Sequence, residues 1–219
     1  MDARLEEIDA ILPAGFAFPE EDPFRALVTA VVRSGDRGRL DKLAALCSDY
    51  LQELDLSVLL RRLVLDQELA SLGEEHTDVA STLIGLANMF ETQGRLDEAL
   101  DHYKRALAIM RKALGEEHTS VADSLMGMGL VFKAQGRLDE ALDHYERALA
   151  IKRKALGEEH TDVADILYKM ALLKKRLSDG GGVESARALF LRCADIYAKT
   201  YGSDDADTRD ALEQARRCS

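Results

Sequence analysis

The chain has 219 residues, 29 basic against 40 acidic, for a formal charge of −11 at pH 7. That balance excludes nucleic acid and an anionic membrane surface as main partners, because both need a basic footprint. With 47% hydrophobic residues, three prolines and no tryptophan, a packed helical chain is expected, neither disordered nor loop-rich β. No apolar run approaches the roughly 20 residues of a membrane-spanning helix. The acidic start, Met1-Asp2-Ala3-Arg4-Leu5-Glu6-Glu7, does not read as a secretory leader, so a cytoplasmic location is expected. Cys47, Cys193 and Cys218 are odd in number and far apart, with no C-x-x-C pair. They read as two helix-packing thiols and one tail thiol of a reducing compartment.

In chain order, residues 1–22 come first. Leu5, Ile8, Ile11 and Leu12 give a short amphipathic helix, broken by Pro13 and Gly15 and followed by Phe16, Phe18, Pro19 and the acids Glu20-Glu21-Asp22. Two readings are open: a helix and linker packed on the next unit, or a linear segment, Phe16 to Asp22, docking intramolecularly like a peptide. Residues 23–72 are helical by pattern but irregular. Gly38-Arg39-Leu40-Asp41 echoes Gly94-Arg95-Leu96-Asp97, which makes Phe24 to Leu54 a degenerate repeat and Leu56 to Leu72 one further helix. An atypical unit of this kind suits a terminal cap.

From residue 73 the chain repeats. Gly73-Glu74-Glu75-His76-Thr77 returns at Gly115 and at Gly157, a spacing of 42, and a weaker copy starts at Gly202. Gln93 to Tyr103 recurs unchanged as Gln135 to Tyr145. Each unit divides into two helices. The first is expected from Thr77 to Thr92, capped by Thr77 and ended by Gly94 in the left-handed region. The second is expected from Leu96 to Leu114, with Ala99, Tyr103, Ala106 and Met110 on one stripe. Neither stripe can be buried alone, so stacking of neighbours supplies the core. The domain plan is therefore residues 1–22, a cap over 23–72, three repeats over 73–206, and a capping helix over 207–219.

The large, small and aromatic positions Leu83, Leu86, Ala87, Phe90, Ala99, Tyr103 and Ala106 resemble the tetratricopeptide repeat. The second copy supplies Leu125, Met128, Gly129, Phe132, Ala141, Tyr145 and Ala148. The third supplies Leu167, Met170, Ala171, Ala186, Phe190 and Cys193 after an insertion at Gly180-Gly181-Gly182, with Lys174 in place of the phenylalanine. The 42-residue length and the Gly-Glu-Glu-His-Thr junction are similar to the kinesin light chain subclass. The resemblance implies an all-α fold, a right-handed helical-hairpin solenoid whose first helices line a concave groove. Kinesin light chains commonly carry an Asn-Asn pair in that helix. Here Ile84-Gly85, Met126-Gly127 and Tyr168-Lys169 stand instead, so their cargo function is not carried over.

No reactive constellation emerges. The histidines are repeat copies in successive layers, at 76, 118 and 160 and at 102 and 144, which does not favour convergence on one metal ion. Gly180-Gly181-Gly182 lacks the Lys-Ser/Thr of a phosphate loop, and no nucleophile motif is present. No catalytic residue, metal or cofactor is expected. Copies 73–114 and 115–156 share 30 of 42 residues, and ten of the 12 differences fall in the first helix. Divergence on the groove side points to partner contact. The helix face away from the packing stripe carries Ser81, Ile84, Asn88 and Glu91, then Asp123, Met126, Leu130 and Lys133, then Asp165, Tyr168, Leu172 and Lys175. An apolar strip edged by acids and lysines suits a protein or peptide partner with an aromatic or aliphatic anchor and acidic flanks. The expected function is a non-catalytic scaffold or adaptor. The alternatives are an assembly module acting through the solenoid ends, and a groove occluded by residues 1–22.

Overall fold

The computed structural model describes residues 28, 30–32, 34–49, 54–177 and 182–218, and every regular element among them is an α-helix. The readings made for residues 1–22 and for the insertion at 180–181 lie outside the described residues. In chain order the helices are α1 (Arg37–Asp49), α2 (Leu54–Leu72), α3 (Thr77–Thr92), α4 (Leu96–Leu114), α5 (Thr119–Ala134), α6 (Leu138–Leu156), α7 (Thr161–Leu177), α8 (Gly182–Tyr201) and α9 (Ala206–Arg216). The chain divides into two compact units, Met1–Ala106 and Leu107–Ser219, at a boundary inside α4.

In the first unit α1 packs on α2, and α2 on α3. Leu40, Leu43 and Ala44 of α1 meet Leu56, Leu60 and Val64 of α2 in one buried cluster. α2 lies 42 residues before α4, residue for residue, and α1 falls in the frame of α3. The Gly38 echo thus misplaces the degenerate repeat: the pair α1–α2 keeps the 42-residue period. The period is hidden because Asp41 and Arg61 stand where Leu83 and Tyr103 stand one repeat later. Their side chains form an ion pair at 3.6 Å in place of the apolar contact.

In the second unit α5, α6, α7, α8 and α9 pack consecutively, each on the next. Every signature residue of the three repeats is buried, with Tyr145 and Phe190 fully enclosed. The first helices start on an imidazole. His76 and His118 take the extended N-cap position, His160 precedes α7 in the same way, and each Nδ1 accepts the N–H of the residue two further on, at 3.1, 3.2 and 3.1 Å. Thr77, expected to be the cap, is the first helical residue instead. α9 begins the same way with Asp205, whose Oδ1 accepts from the Asp207 N–H at 2.9 Å. At the other end of α3, Gly94 adopts φ +73°, where L side chains are strained. That turn lets Arg95 N–H reach Phe90 O at 2.8 Å and closes the helix.

Arg95 lies over the Phe90 ring at 4.4 Å and Arg137 over Phe132 at the same distance. His102 and His144 pack against the same two rings at 5.1 and 4.9 Å. These histidines are part of the helix–helix contact. Cys218, expected as a tail thiol, is buried in the cluster of Ala171, Ala186, Phe190 and Ala215. Burial pushes the Cys193 thiol up to about 12.

Candidate functional site

In the first unit, α3 carries Ser81, Ile84 and Asn88. Ile84 is half-buried, while Ser81 and Asn88 are exposed. The Asn88 carboxamide oxygen accepts from the Tyr103 hydroxyl, and the Ser81 hydroxyl donates to Thr77 O at 3.0 Å.

In the second unit, α5 carries Asp123, Met126, Leu130 and Lys133, and α7 carries Asp165, Tyr168, Leu172 and Lys175. Met126, Leu130, Tyr168 and Leu172 are all half-buried. Large apolar side chains left partly in water on the helix that varies between copies are the raw material of a contact surface. The Lys133 side chain is half-buried and makes no hydrogen bond or ion pair among the described residues.

The acidic edge is already engaged. Lys152 of α6 is buried, and its Nζ lies 2.7 Å from Asp123 Oδ1 and 2.8 Å from Asp162 Oδ2. Burial works against that ammonium, but the two carboxylates prevail and hold its pKa above the ordinary lysine value. Asp162 is correspondingly held below the usual carboxylate range. Asp165 accepts from the Tyr197 hydroxyl at 2.5 Å. These acids therefore set the position of α6 and α8 against the first helices.

The third-repeat end of the strip meets α9. The Tyr168 hydroxyl donates to Asp210, Lys175 Nζ donates to Gln214 Oε1 at 3.3 Å, and the Tyr168 ring stands edge-on to Phe190 at 5.3 Å. Tyr168 and Leu172 both pack against the cluster containing Ala215 and Cys218. Burial first, and the neighbouring carboxylate second, push the Tyr168 and Tyr197 phenols up, so both stay donors. Sequence reasoning missed Lys152 and Tyr197. Their signal was available: they occupy one position of the repeat and change together with acids on the facing helices.

Among the described residues no helix is long and apolar enough to cross a membrane. No curated protein matches the chain. A crystal structure from P. anserina, provisionally described as a kinesin light chain with nearly identical TPR-like repeats, is 25% identical with a TM-score of 0.68, over 84% of this chain and 86% of that one. BtubC (BKLC) from P. vanneervenii shares the fold at 20% identity and a TM-score of 0.61, over 99% of this chain and 90% of that one. The sequence pattern of the tetratricopeptide repeat matches residues 40–112, 78–154 and 120–179, more than half of the chain. Its first match starts inside α1, which agrees with a 42-residue frame that includes the degenerate pair. Such repeats are generally non-catalytic scaffolds for protein interaction. With these matches, its paired helices and its buried signature positions, the chain belongs to the tetratricopeptide repeat family, and its fold is similar to that of kinesin light chain-like members.

Proposed function

We propose that the chain is an interaction scaffold that holds a peptide segment of a partner protein against the first helices of its repeats. The observation that carries this reading is the half-exposed apolar set on α5 and α7, on the helices where the copies diverge, beside a lysine without an internal partner. Met126 and Leu130 supply an adaptable apolar floor for an aliphatic or aromatic anchor. Ile84 and Asn88 extend the same row of repeat positions in sequence. Lys133 and Lys175 favour acidic residues beside the anchor and raise the rate of encounter. Asp123 and Asp165 keep the floor in register through Lys152 and Tyr197. In this reading α1–α2 and α9 act as the terminal caps of the array.

Met126→Glu and Leu130→Glu test the proposal more cleanly than a change at Tyr168, whose hydroxyl also holds α9. A capture from lysate identifies partner segments, and the matching synthetic peptides are then titrated against native and variant protein. Each substitution is expected to weaken peptide affinity by about tenfold or more, with helical circular dichroism unchanged. Equal affinity in both variants would remove the first-helix face from the function.

A further inference from the structure

The copies 73–114 and 115–156 are nearly the same molecule twice, and that is a folding hazard. α4 and α6 differ at only two positions: Lys104 against Glu146, both exposed, and Met110 against Lys152, both buried. Two helices with one apolar stripe between them can exchange places, or be exchanged between chains, unless something distinguishes their sites.

The one buried difference varies as a set with its surroundings. At this repeat position the chain reads Glu68, Met110, Lys152 and Tyr197, all buried. The residue matching Asp123 in the first copy is Ser81, and the residue matching Asp162 at the preceding junction is Ser120. A neutral Met thus goes with two serines, and a cationic Lys with two aspartates. Both aspartates contact Lys152, one from the first helix of its own repeat and one from the first turn of the next.

We propose that Lys152, Asp123 and Asp162 form an address that fixes the order of the repeats by seating α6 only between α5 and α7. Set against serine at these two repeat positions, Lys152 would lose both of its carboxylate partners and become a buried charge without them. The reverse error is milder, because Asp123 and Asp162 are partly solvated and tolerate a neutral neighbour. Buried polar groups that choose register at little gain in stability are known from helical assemblies. Here the device answers a need visible in the sequence, two otherwise interchangeable helices.

The test refolds the full chain from denaturant over a range of protein concentrations, as wild type, as Lys152→Met, and as Asp123→Ser/Lys152→Met/Asp162→Ser. The triple variant gives the second repeat the residue types of the first. Light scattering separates monomer from exchanged dimer, and equilibrium unfolding is measured on the same samples. The triple variant is expected to keep the wild-type unfolding midpoint while its exchanged or misassembled fraction rises about tenfold, increasing with concentration. Lys152→Met is expected to show the same rise, since its two acids remain partly hydrated. Wild-type refolding yield in both variants overturns the proposal. So does a lowered midpoint, or failure to fold, without excess dimer, because the three residues would then be a stabilising contact and nothing more.

Discussion

His118 sits at the N-cap of α5 with its Nδ1 on the Ser120 N–H, a position where serine, threonine, aspartate and asparagine are usual. A neutral imidazole with Nδ1 as acceptor does the same work, and Asp205 does it with a carboxylate at α9. His118→Ala should therefore cost about 1 kcal/mol in urea unfolding. His118→Asp should recover the loss, since it supplies both an acceptor and a negative charge at the helix N-terminus. Equal midpoints for the alanine variant and wild type would mean that water serves this N–H as well. Gly129 is a different kind of residue-scale device. A Cβ there would stand 2.5 Å from Tyr145 Cε1 and 2.7 Å from Cδ1, and that ring is fully enclosed. Gly129→Ala gains about 1 kcal/mol of helix propensity. The forced movement of the ring outweighs it, for a net loss of about 1–2 kcal/mol in the same assay. The first repeat shows the escape: Ala87 occurs with Asn88, which accepts the Tyr103 hydroxyl. Adding Leu130→Asn to Gly129→Ala should restore part of the stability, and failure to do so would mean the two rings are not interchangeable.

The helices from Thr77 to Thr92 and from Leu96 to Leu114 were legible residue for residue, because the same glycine turns and junctions recur and each signature side chain keeps its size. α1 and α2 were not legible as a repeat, although they hold the same frame. An ion pair between Asp41 and Arg61 replaces the leucine and tyrosine by which such a hairpin is recognised, and charge at a half-buried site looks like a loop or a surface in sequence. A second ionic feature joins α2 to its neighbours. Glu68 is almost fully buried; Arg37 of α1 approaches Oε1 at 2.7 Å and also bridges to Asp78 of α3 at 3.1 Å. Burial raises the Glu68 pKa, and neither the Thr82 hydroxyl nor Arg37 fully offsets it, with Asp41 and Asp78 adding to the rise. A carboxyl with a raised folded pKa binds more protons folded than unfolded, so its contribution falls as pH rises through the folded value. On acidification from neutrality toward the ordinary glutamate range, this group stabilises the fold. Glu68→Gln should remove that rise from a plot of unfolding free energy against pH, and should leave stability at pH 7 unchanged or higher. A steep loss at pH 7 in the glutamine variant would show that the Arg37 pair, not burial, dominates.

Over the whole molecule, stability of a repeat array is a sum of units and nearest-neighbour contacts, so its ends matter most where a packing face would otherwise meet water. The apolar positions on α5 and α7 were legible from helical spacing; their neighbours Lys152, Tyr197 and α9 were not, because those contacts run between different helices, some within a repeat and some into the next, and spacing alone does not place one helix on another. α9 and the turn after it shield the last repeat with Ala211, Ala215 and Cys218, and leave Arg209, Glu213 and Arg217 in solvent. Arg216 occupies the position of Ala87, Gly129 and Ala171, the small residue against which a second helix would pack, so the outer side of α9 is polar where α3, α5 and α7 are apolar. Ending the chain after Gly202 should therefore expose Ala171, Phe190, Tyr168 and Leu172 together and leave Asp165–Tyr197 as a bond between helices with one face in water. Hydrogen exchange should then speed up in α7 and α8, by an amount equivalent to about 2–4 kcal/mol of local protection. α5 and α6 should change much less, because the deleted helix packs on α8 and is met by α7 through Tyr168 and Lys175. Uniform loss of protection through α5–α8 would mean that the second unit unfolds as one block. Unchanged protection in α7 and α8 would mean that α9 contributes no shielding, and the third-repeat strip would then be open to a partner along its full length.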